Sequence, residues 1–191
     1  MGRTVTERTQ KVVNSLLTLG LLEDKNFERM EDNLSLSDIA DILGKDDYQQ
    51  IQRYLKQLKN WLPNAGIIST SNQKTIVKKN DIPTDTYEEF LWTLLVLDMI
   101  VEQEQYSIKD LNKNFRGKAL SIITKIIIAK RNKDKISIRL LNDPEQIIKL
   151  MPKSLYFNYD SWFVEGLVDG QDELKKYKLS DVKAISYTYK K

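Results

Sequence analysis

Residues 35–60 read SLSDIADILGKDDYQQIQRYLKQLKN, and their apolar positions return every three or four residues on both sides of Gly44. This period predicts two short amphipathic helices. Ser35 or Ser37 can cap the first helix, because a short hydroxyl accepts hydrogen bonds from the free amides of an opening turn. Gly44 can end that helix in a left-handed conformation. The pattern therefore indicates a helix pair joined by a tight turn.

The second helix separates its apolar and polar residues onto opposite faces. Tyr48, Ile51, Leu55 and Leu58 share one face at helical spacing and are expected to be buried. The other face is polar and basic, and such side chains donate hydrogen bonds to base edges and phosphates of DNA. We predict DNA contacts from six residues on and beside this face, namely Gln49, Gln50, Arg53, Lys56, Gln57 and Asn60.

The segment that follows is typical of a basic hairpin. Residues 66–79 form two β-branched runs around a Ser-Asn-Gln turn, as in the wing of a winged helix-turn-helix. Its lysines Lys74, Lys78 and Lys79 are expected to contact phosphates. The simpler alternative is an ordinary helix pair with a solvated outer face, since any surface helix shows polar residues on one side.

The composition excludes several classes of site. The chain has 191 residues, which suits two domains, and it contains neither cysteine nor histidine. Disulfides, thiolate zinc sites and cysteine nucleophiles are therefore excluded, and so are histidine bases and ligands. No apolar run reaches the roughly 18 residues that span a bilayer. We expect a cytoplasmic protein that makes no membrane contact.

Catalysis has little support in the sequence. The acids Asp38, Asp41, Asp46 and Asp47 would be the obvious metal cluster, but two of them suit the first turns of helices. None has a basic nucleophile nearby. We expect no enzymatic activity and no cofactor.

Charge is distributed in blocks, although the net charge is only +3. Residues 45–79 carry seven Lys/Arg and two Asp/Glu, and residues 109–139 carry ten and two. Residues 80–108, between them, carry seven acids and no Lys/Arg. This alternation indicates either an oriented contact with a polyanion or a charge match within the molecule.

Four further segments outside the helix pair are predicted to be helical. Residues 8–22 form a first helix with Gly20 as a candidate stop, and residues 85–105 form a helix that is apolar on nearly every side. Because such a helix needs partners on more than one face, we expect it to pack against a second copy of the chain. Residues 107–115 and 118–130 are two further helices; for the second, the Ile126–Ile128 run leaves a strand open as an alternative. The basic end that follows it, residues 130–135, is interpreted as a solvated connection, with a nucleic-acid contact as the alternative.

After Lys135 the apolar period changes to two. Five short strands separated by turn residues are predicted between residues 136 and 189, with Asp169-Gly170 as a hairpin turn. Such a set forms a small twisted sheet or a partly open barrel.

These strands carry a resemblance to a known family. Met151-Pro152 with Leu155, the aromatic strand Trp162-Phe163-Val164, and the closing run Lys175-Lys176-Tyr177-Lys178-Leu179 are similar in order and spacing to the WYL domain. Lys149 precedes Pro152 as a basic residue does in that family. The resemblance covers roughly residues 135–187. It implies a small Sm-like β-barrel that senses a nucleotide or nucleic-acid ligand, attached to a winged helix-turn-helix in a homodimeric transcription regulator.

The corresponding ligand-binding residues are Lys149, Trp162, Lys175, Tyr177 and Lys178. Trp162 and Tyr177 are read either as core or rim residues or as ligand stackers. The three lysines could converge on one mouth of the barrel around an anion. The alternative is that they are solvated surface lysines.

The predicted fold is therefore α+β, with a winged helix-turn-helix (1–80), a helical linker and dimerisation region (81–134) and a WYL-like barrel (135–191). The predicted function is a homodimeric, sequence-specific regulator, most simply a repressor, that binds double-stranded DNA and has a nucleotide or single-stranded effector. The alternative is an accessory protein. Its winged helix would dock a partner protein and its barrel would bind RNA or single-stranded DNA, with Tyr156, Phe157 and Tyr159 as a stacking platform.

Overall fold

A computed structural model of the chain describes residues 7–23, 35–65, 67–69, 76–77, 82–99, 108–159 and 161–188. The chain separates into two compact units, one ending at Leu97 and the other beginning at Asp98. The architecture is α+β: helices come first, and an antiparallel sheet follows. Among the described residues, no helix combines the length and the apolar character needed to cross a membrane.

The described residues of the first unit form four α-helices and a pair of two-residue strands. The α-helices are α1 (Glu7–Leu22), α2 (Leu36–Ile42), α3 (Tyr48–Trp61) and α4 (Thr84–Met99), whose last residues, 98 and 99, fall in the second unit. A short 3-10 helix, Pro63–Ala65, follows α3, and the strands are β1 (Ile68–Ser69) and β2 (Ile76–Val77). The strands pair antiparallel, with Ile68 opposite Val77.

The core of this unit lies where α1 and α2 pack against α3. Leu16 and Leu17 from α1, Ile39 from α2, and Ile51 and Leu58 from α3 are all buried. Burial of such side chains stabilises a fold by about 1.5–3 kcal/mol each. α1 continues through Gly20 to Leu22, so the helix stop predicted at Gly20 is wrong. Gly20 itself is buried, and the apolar residues on both sides of it continue the packed face.

Helix α4 buries one side within the chain. Tyr87, Leu91, Leu94 and Leu95 are buried, and the ring of Phe90 lies 5.7 Å from that of Trp61, at the end of α3. Val96 and other apolar residues on the remaining sides are half-buried. The second copy expected to cover them stays a prediction.

Where the structure describes the second unit, it shows two α-helices and an open five-stranded sheet. The helices are α5 (Ile108–Asn114) and α6 (Ala119–Asn132), which confirms a helix rather than a strand at Ile126–Ile128. The strands are β3 (Ile136–Leu140), β4 (Ile148–Asn158), β5 (Ser161–Val168), β6 (Leu174–Lys178) and β7 (Val182–Ser186), with a 3-10 helix, Leu179–Asp181, before β7. All neighbouring strands are antiparallel, in the order β6-β5-β4-β3-β7. Within the described residues, the edge strands β6 and β7 do not pair with each other.

Helix α6 covers one face of this sheet, in contact with β3, β4 and β7. Its residues Ile123, Ile126 and Ile127 are buried, together with Ile136 and Leu150 of the sheet. The structure thus joins α6 to the strands, whereas the sequence-based division assigned it to a separate linker. The roles predicted for the three segments, namely DNA binding, dimerisation and ligand binding, stay predictions.

The longest strand, β4, has an irregularity that shapes the sheet. Its register with β5 shifts between Pro152 and Ser154. Gly166 lies opposite Pro152, and a Cβ atom at Gly166 would collide with the backbone carbonyl of Met151. A side chain larger than hydrogen is therefore excluded where the two backbones approach each other.

Candidate nucleic-acid interface

Helix α3 is fixed at both ends by local contacts. At its start, the Asp47 carboxylate accepts a hydrogen bond of 2.7 Å from the backbone N–H of Gln49. At its end, Pro63 follows the last turn and lacks the amide that would continue the helix. Helix α2 is likewise capped, because Ser35 and Asp38 exchange side-chain and backbone hydrogen bonds. The helix pair predicted around Gly44 is therefore present, with Gly44 at φ +60°.

The inner face of α3 differs from its prediction at two tyrosines. Ile51, Leu55 and Leu58 are buried as expected, but Tyr48 is 53% exposed and Tyr54 is only 6% exposed. Tyr48 is the first residue of the helix. Tyr54 takes its place in the core, and its hydroxyl accepts a hydrogen bond from the buried Asn14 at 3.2 Å.

The outer face of α3 carries four of the predicted DNA-binding residues. Gln49, Arg53, Lys56 and Asn60 are all exposed. In the part of the chain that the structure describes, the side chains of Arg53, Lys56 and Asn60 form no hydrogen bond or ion pair. Their hydrogen-bonding groups are accordingly available to an external partner.

The other two glutamines are engaged on the side of α3 that faces α1. Tyr54 donates to the Gln50 side-chain oxygen at 3.4 Å, and Ser15 donates to the Gln57 oxygen at 3.2 Å. These bonds fix the oxygens and leave the NH₂ groups of both amides as donors. The sequence could not show the Gln57 bond, because Ser15 lies on α1 and is 42 residues away in the chain. The three hairpin lysines Lys74, Lys78 and Lys79 lie outside the described residues.

A polar groove between α1 and α3 adds basic residues that the sequence reasoning missed. It has a volume of about 700 Å³, and its cationic side chains are Arg8 and Lys11 from α1, Lys45 from the turn before α3, and Arg53. Arg8 and Lys11 are three residues apart, a spacing that places two residues on one helical face. That spacing was the only sign of the groove in the sequence.

The five predicted ligand-binding residues of the second unit occupy different parts of the sheet. Trp162 is 5% exposed and packs edge-on against Phe157 at 5.4 Å, which makes it a core residue. Tyr177 is half-buried, and burial raises its pKa. Lys149 donates to the Ser137 hydroxyl at 2.7 Å, and Lys175 lies 4.0 Å from the Glu173 carboxylate.

The three lysines do not gather at one end of the strands. The backbone of Lys149 bonds with that of Asp169, whereas Lys178 lies opposite Phe163. Their partners, Asp169 and Phe163, are six residues apart, which corresponds to about 20 Å along an extended strand. Tyr177 and Lys178 do come together, with Lys176, at a cavity of about 360 Å³ that Leu140, Asn142 and Asp181 also line.

A further group on the sheet combines two aromatic rings and a cation. Tyr156 and Phe163 are cross-strand partners whose rings stack at 5.8 Å with an interplanar angle of 22°. The Lys176 ammonium lies 5.5 Å from the Tyr156 ring centroid and 6.0 Å from that of Phe163. A hydrogen bond with Tyr156 is the largest cause that raises the pKa of Lys176 above its ordinary value. Of the three aromatics predicted as a platform, Phe157 instead packs on Trp162, and Tyr159 is 91% exposed at the β4–β5 turn.

Two of the four acidic residues considered as a metal cluster cap helices instead. Asp38 belongs to the capping box of α2, and Asp47 caps α3. Within the described ranges, no three acidic residues are grouped closely enough to hold a metal ion.

Comparisons with known proteins leave the family open. No family model matches the chain, and no curated protein matches it. Among solved structures, it is similar to proteasome accessory factor B/C (PafBC) of Arthrobacter aurescens, at 13% sequence identity and a TM-score of 0.29. The match covers 91% of this chain and 33% of that protein, so the chain spans about a third of its length. A likeness at this level carries no argument about function.

Proposed function

We propose that the protein is a homodimeric DNA-binding transcriptional regulator that acts in the cytoplasm, most simply as a repressor. The exposed outer face of α3 carries the proposal. Gln49, Arg53, Lys56 and Asn60 stand opposite the buried apolar residues of the same helix. A face of this kind can enter a major groove while its other side stays packed in the core.

The residues of this face have different roles in the proposal. Arg53 pairs with a guanine edge through two hydrogen bonds, which its planar guanidinium allows. Gln49 and Asn60 add hydrogen bonds to bases or to the backbone, and Lys56 contacts a phosphate. The NH₂ groups of Gln50 and Gln57 act from the margin, and Lys74, Lys78 and Lys79 of the basic hairpin contact phosphates in a neighbouring groove.

The test begins with selection of bound fragments from a random duplex pool by the full chain. Affinity for the selected duplex is then measured by fluorescence anisotropy over a range of salt concentrations. We expect log affinity to fall linearly and steeply with log salt, because phosphate contacts release counterions. Arg53→Ala should weaken specific binding by about 1–3 kcal/mol and relax the preference at one base position.

Arg139→Ala is the matched control for this variant. Arg139 is an exposed arginine of β3, so its replacement removes the same charge from the second unit. A flat salt response, or equal effects of the two substitutions, would remove α3 as the DNA-binding element.

The homodimer is proposed from the partly covered apolar sides of α4. Val96 is half-buried on the side opposite Tyr87 and Leu91. Val96→Glu should shift the mass measured by sedimentation equilibrium from two chains to one, while circular dichroism stays that of a folded protein. A wild-type chain that sediments as a monomer at micromolar concentration would contradict the proposal.

The proposed role of the second unit is that of a WYL-like sensor with a Sm-like fold. The last strand of the second unit, β7, pairs with its first strand, β3. Residues 140–142 and 176–178 line one cavity, although β4 and β5 separate their strands, so we infer that the sheet curves. Both features support a partly closed barrel. In this proposal a nucleotide or single-stranded nucleic acid binds beside Tyr177 and Lys178, and the operator affinity measured with and without it should differ.

A second candidate function has its own observation. The Tyr156–Phe163 stack beside Lys176 resembles a base-stacking platform, which favours an accessory protein that binds RNA or single-stranded DNA. Tyr156→Ala should then weaken binding of a single-stranded oligonucleotide by about 1–3 kcal/mol. Binding to single strands with no preference for any duplex would favour this function over the first.

A further inference from the structure

The groove between α1 and α3 has an excess of positive charge. Its walls carry the cations of Arg8, Lys11, Lys45 and Arg53, against the single carboxylate of Glu7. Within the described residues, none of these four cations forms an ion pair or a side-chain hydrogen bond. Like charges held around one concavity repel each other, and an anion placed between them relieves that repulsion.

The inner part of the groove is polar and held in place by hydrogen bonds. Asn14, which is 1% exposed, donates to the Tyr54 hydroxyl, and Tyr54 donates to the Gln50 oxygen at 3.4 Å. This chain runs from the core of the unit to the groove and orders Gln50 before any ligand arrives. Preordered polar groups lose less entropy on binding.

The size and charge of the groove select a class of ligand. About 700 Å³ falls within the range of small-molecule sites, roughly 300–1,000 Å³. A single phosphate carries a charge of about −1.5 to −2 at neutral pH, so a net lining charge of three positive units suits two or three linked phosphates. Arginine forks at two points of the lining match the geometry of phosphate oxygens.

We propose that this groove binds a small anion with two or three linked phosphate groups, such as a nucleoside di- or triphosphate. Arg8 and Lys11 hold the phosphates from α1, and Lys45 and Arg53 hold them from the opposite side. The Gln10 and Gln50 amides supply hydrogen bonds to the remainder of the molecule. The site is separate from the ligand site proposed in the second unit.

One consequence rests on the proposed DNA-binding function. Arg53 belongs both to this groove and to the outer face of α3. A phosphate anion that engages Arg53 removes it from the duplex, so anion and operator should compete. The anion site itself does not depend on DNA binding.

The test uses the full chain, with tripolyphosphate and ATP as separate probes and adenosine as the uncharged comparison. Isothermal titration calorimetry should show saturable binding of one tripolyphosphate per chain, saturable binding of ATP, and no binding of adenosine. The double variant Arg8→Ala/Lys11→Ala removes two exposed cations and should weaken binding about tenfold or more, since it deletes two charge-assisted contacts. Thermal unfolding by circular dichroism should stay close to that of the wild type.

The matched control is Lys153→Ala/Lys183→Ala, which removes two exposed cations from the second unit. It should bind tripolyphosphate as the wild type does. The proposal would be overturned if the wild type showed no saturable binding of tripolyphosphate. It would also be overturned if both double variants weakened tripolyphosphate binding equally. If Arg8→Ala/Lys11→Ala weakens only duplex binding while the wild type ignores both phosphate probes, the groove serves the DNA backbone and the proposal is also overturned. A chain that binds tripolyphosphate in the groove but no duplex would retain this site and lose the proposed function instead.

Discussion

Asn14 of α1 and Tyr54 of α3 are both buried, and a hydrogen bond of 3.2 Å from the Asn14 amide to the Tyr54 hydroxyl joins the two helices. The bond lies in the core between α1 and α3, and this core holds α3 in place with its outer face exposed. It also positions Tyr54 to donate to Gln50 at the edge of the α1–α3 groove. One polar pair thus connects the stability of the first unit to the order of its candidate binding surface.

Tyr54→Phe is therefore expected to destabilise the first unit. The substitution keeps the ring but removes the acceptor for the buried Asn14 amide, which costs about 1–3 kcal/mol. Chemical denaturation followed by circular dichroism measures the change in the free energy of unfolding. Tyr48→Phe removes the same hydroxyl from an exposed tyrosine and should stay within about 0.5 kcal/mol of the wild type. Equal effects of the two substitutions would show that the buried bond contributes nothing.

The contrast between Tyr48 and Tyr54 shows how far the sequence could predict the helix pair. Periodicity identified Ile51, Leu55 and Leu58 as core, because each is apolar and their spacing leaves one face. It chose Tyr48 and missed Tyr54, although Tyr54 completes the i, i+3, i+4, i+7 spacing of the buried residues. The polar partner of Tyr54, Asn14, is 40 residues away and left no local sign. The same applies to Gln57, whose partner Ser15 is on another helix.

The sheet was predicted as five strands because the alternation of apolar and polar residues is local information. The register between strands, in contrast, depends on residues that are far apart in the sequence. Lys149 and Lys178 are both basic residues on strands, but strand pairing sets Lys149 beside Asp169 and Lys178 opposite Phe163. Their separation, and the stacking of Tyr156 on Phe163, follow from cross-strand neighbours that no single segment specifies.

Asp47→Ala is expected to weaken the start of α3. The Asp47 carboxylate accepts from the backbone N–H of Gln49, and loss of such a cap costs about 0.5–2 kcal/mol. Asp47→Asn keeps an accepting oxygen and should be nearly neutral, as should Asp46→Ala, which removes an exposed acid next to the cap. Urea midpoints for the three variants measure the difference. A loss in Asp46→Ala as large as that in Asp47→Ala would assign the effect to charge rather than to capping.

Gly166→Ala is expected to disrupt the β4–β5 pairing. The added methyl group would meet the Met151 carbonyl and the backbone of Pro152, neither of which is a flexible side chain. Forced overpacking of this kind costs about 1–3 kcal/mol or more. Ser186→Ala, at an exposed position of β7, is the control and should change stability by no more than about 0.5 kcal/mol. Wild-type stability of Gly166→Ala would mean that the two strands separate at that point without loss.

Tyr187 is expected to make stability depend on alkaline pH. Its hydroxyl donates to the Asp134 carboxylate at 2.8 Å, and burial, the largest cause, raises its pKa from 10.0 to about 12. Because the folded protein holds the proton more tightly than the unfolded chain, this contribution is complete below pH 10. It is lost as the pH rises from 10 to about 12. Denaturant midpoints of the wild type and of Tyr187→Phe should therefore converge across that window, while lysines and the other tyrosines affect both proteins alike. A constant difference between the two proteins from pH 9 to pH 12 would show that the Tyr187 hydroxyl titrates as it does in the unfolded chain.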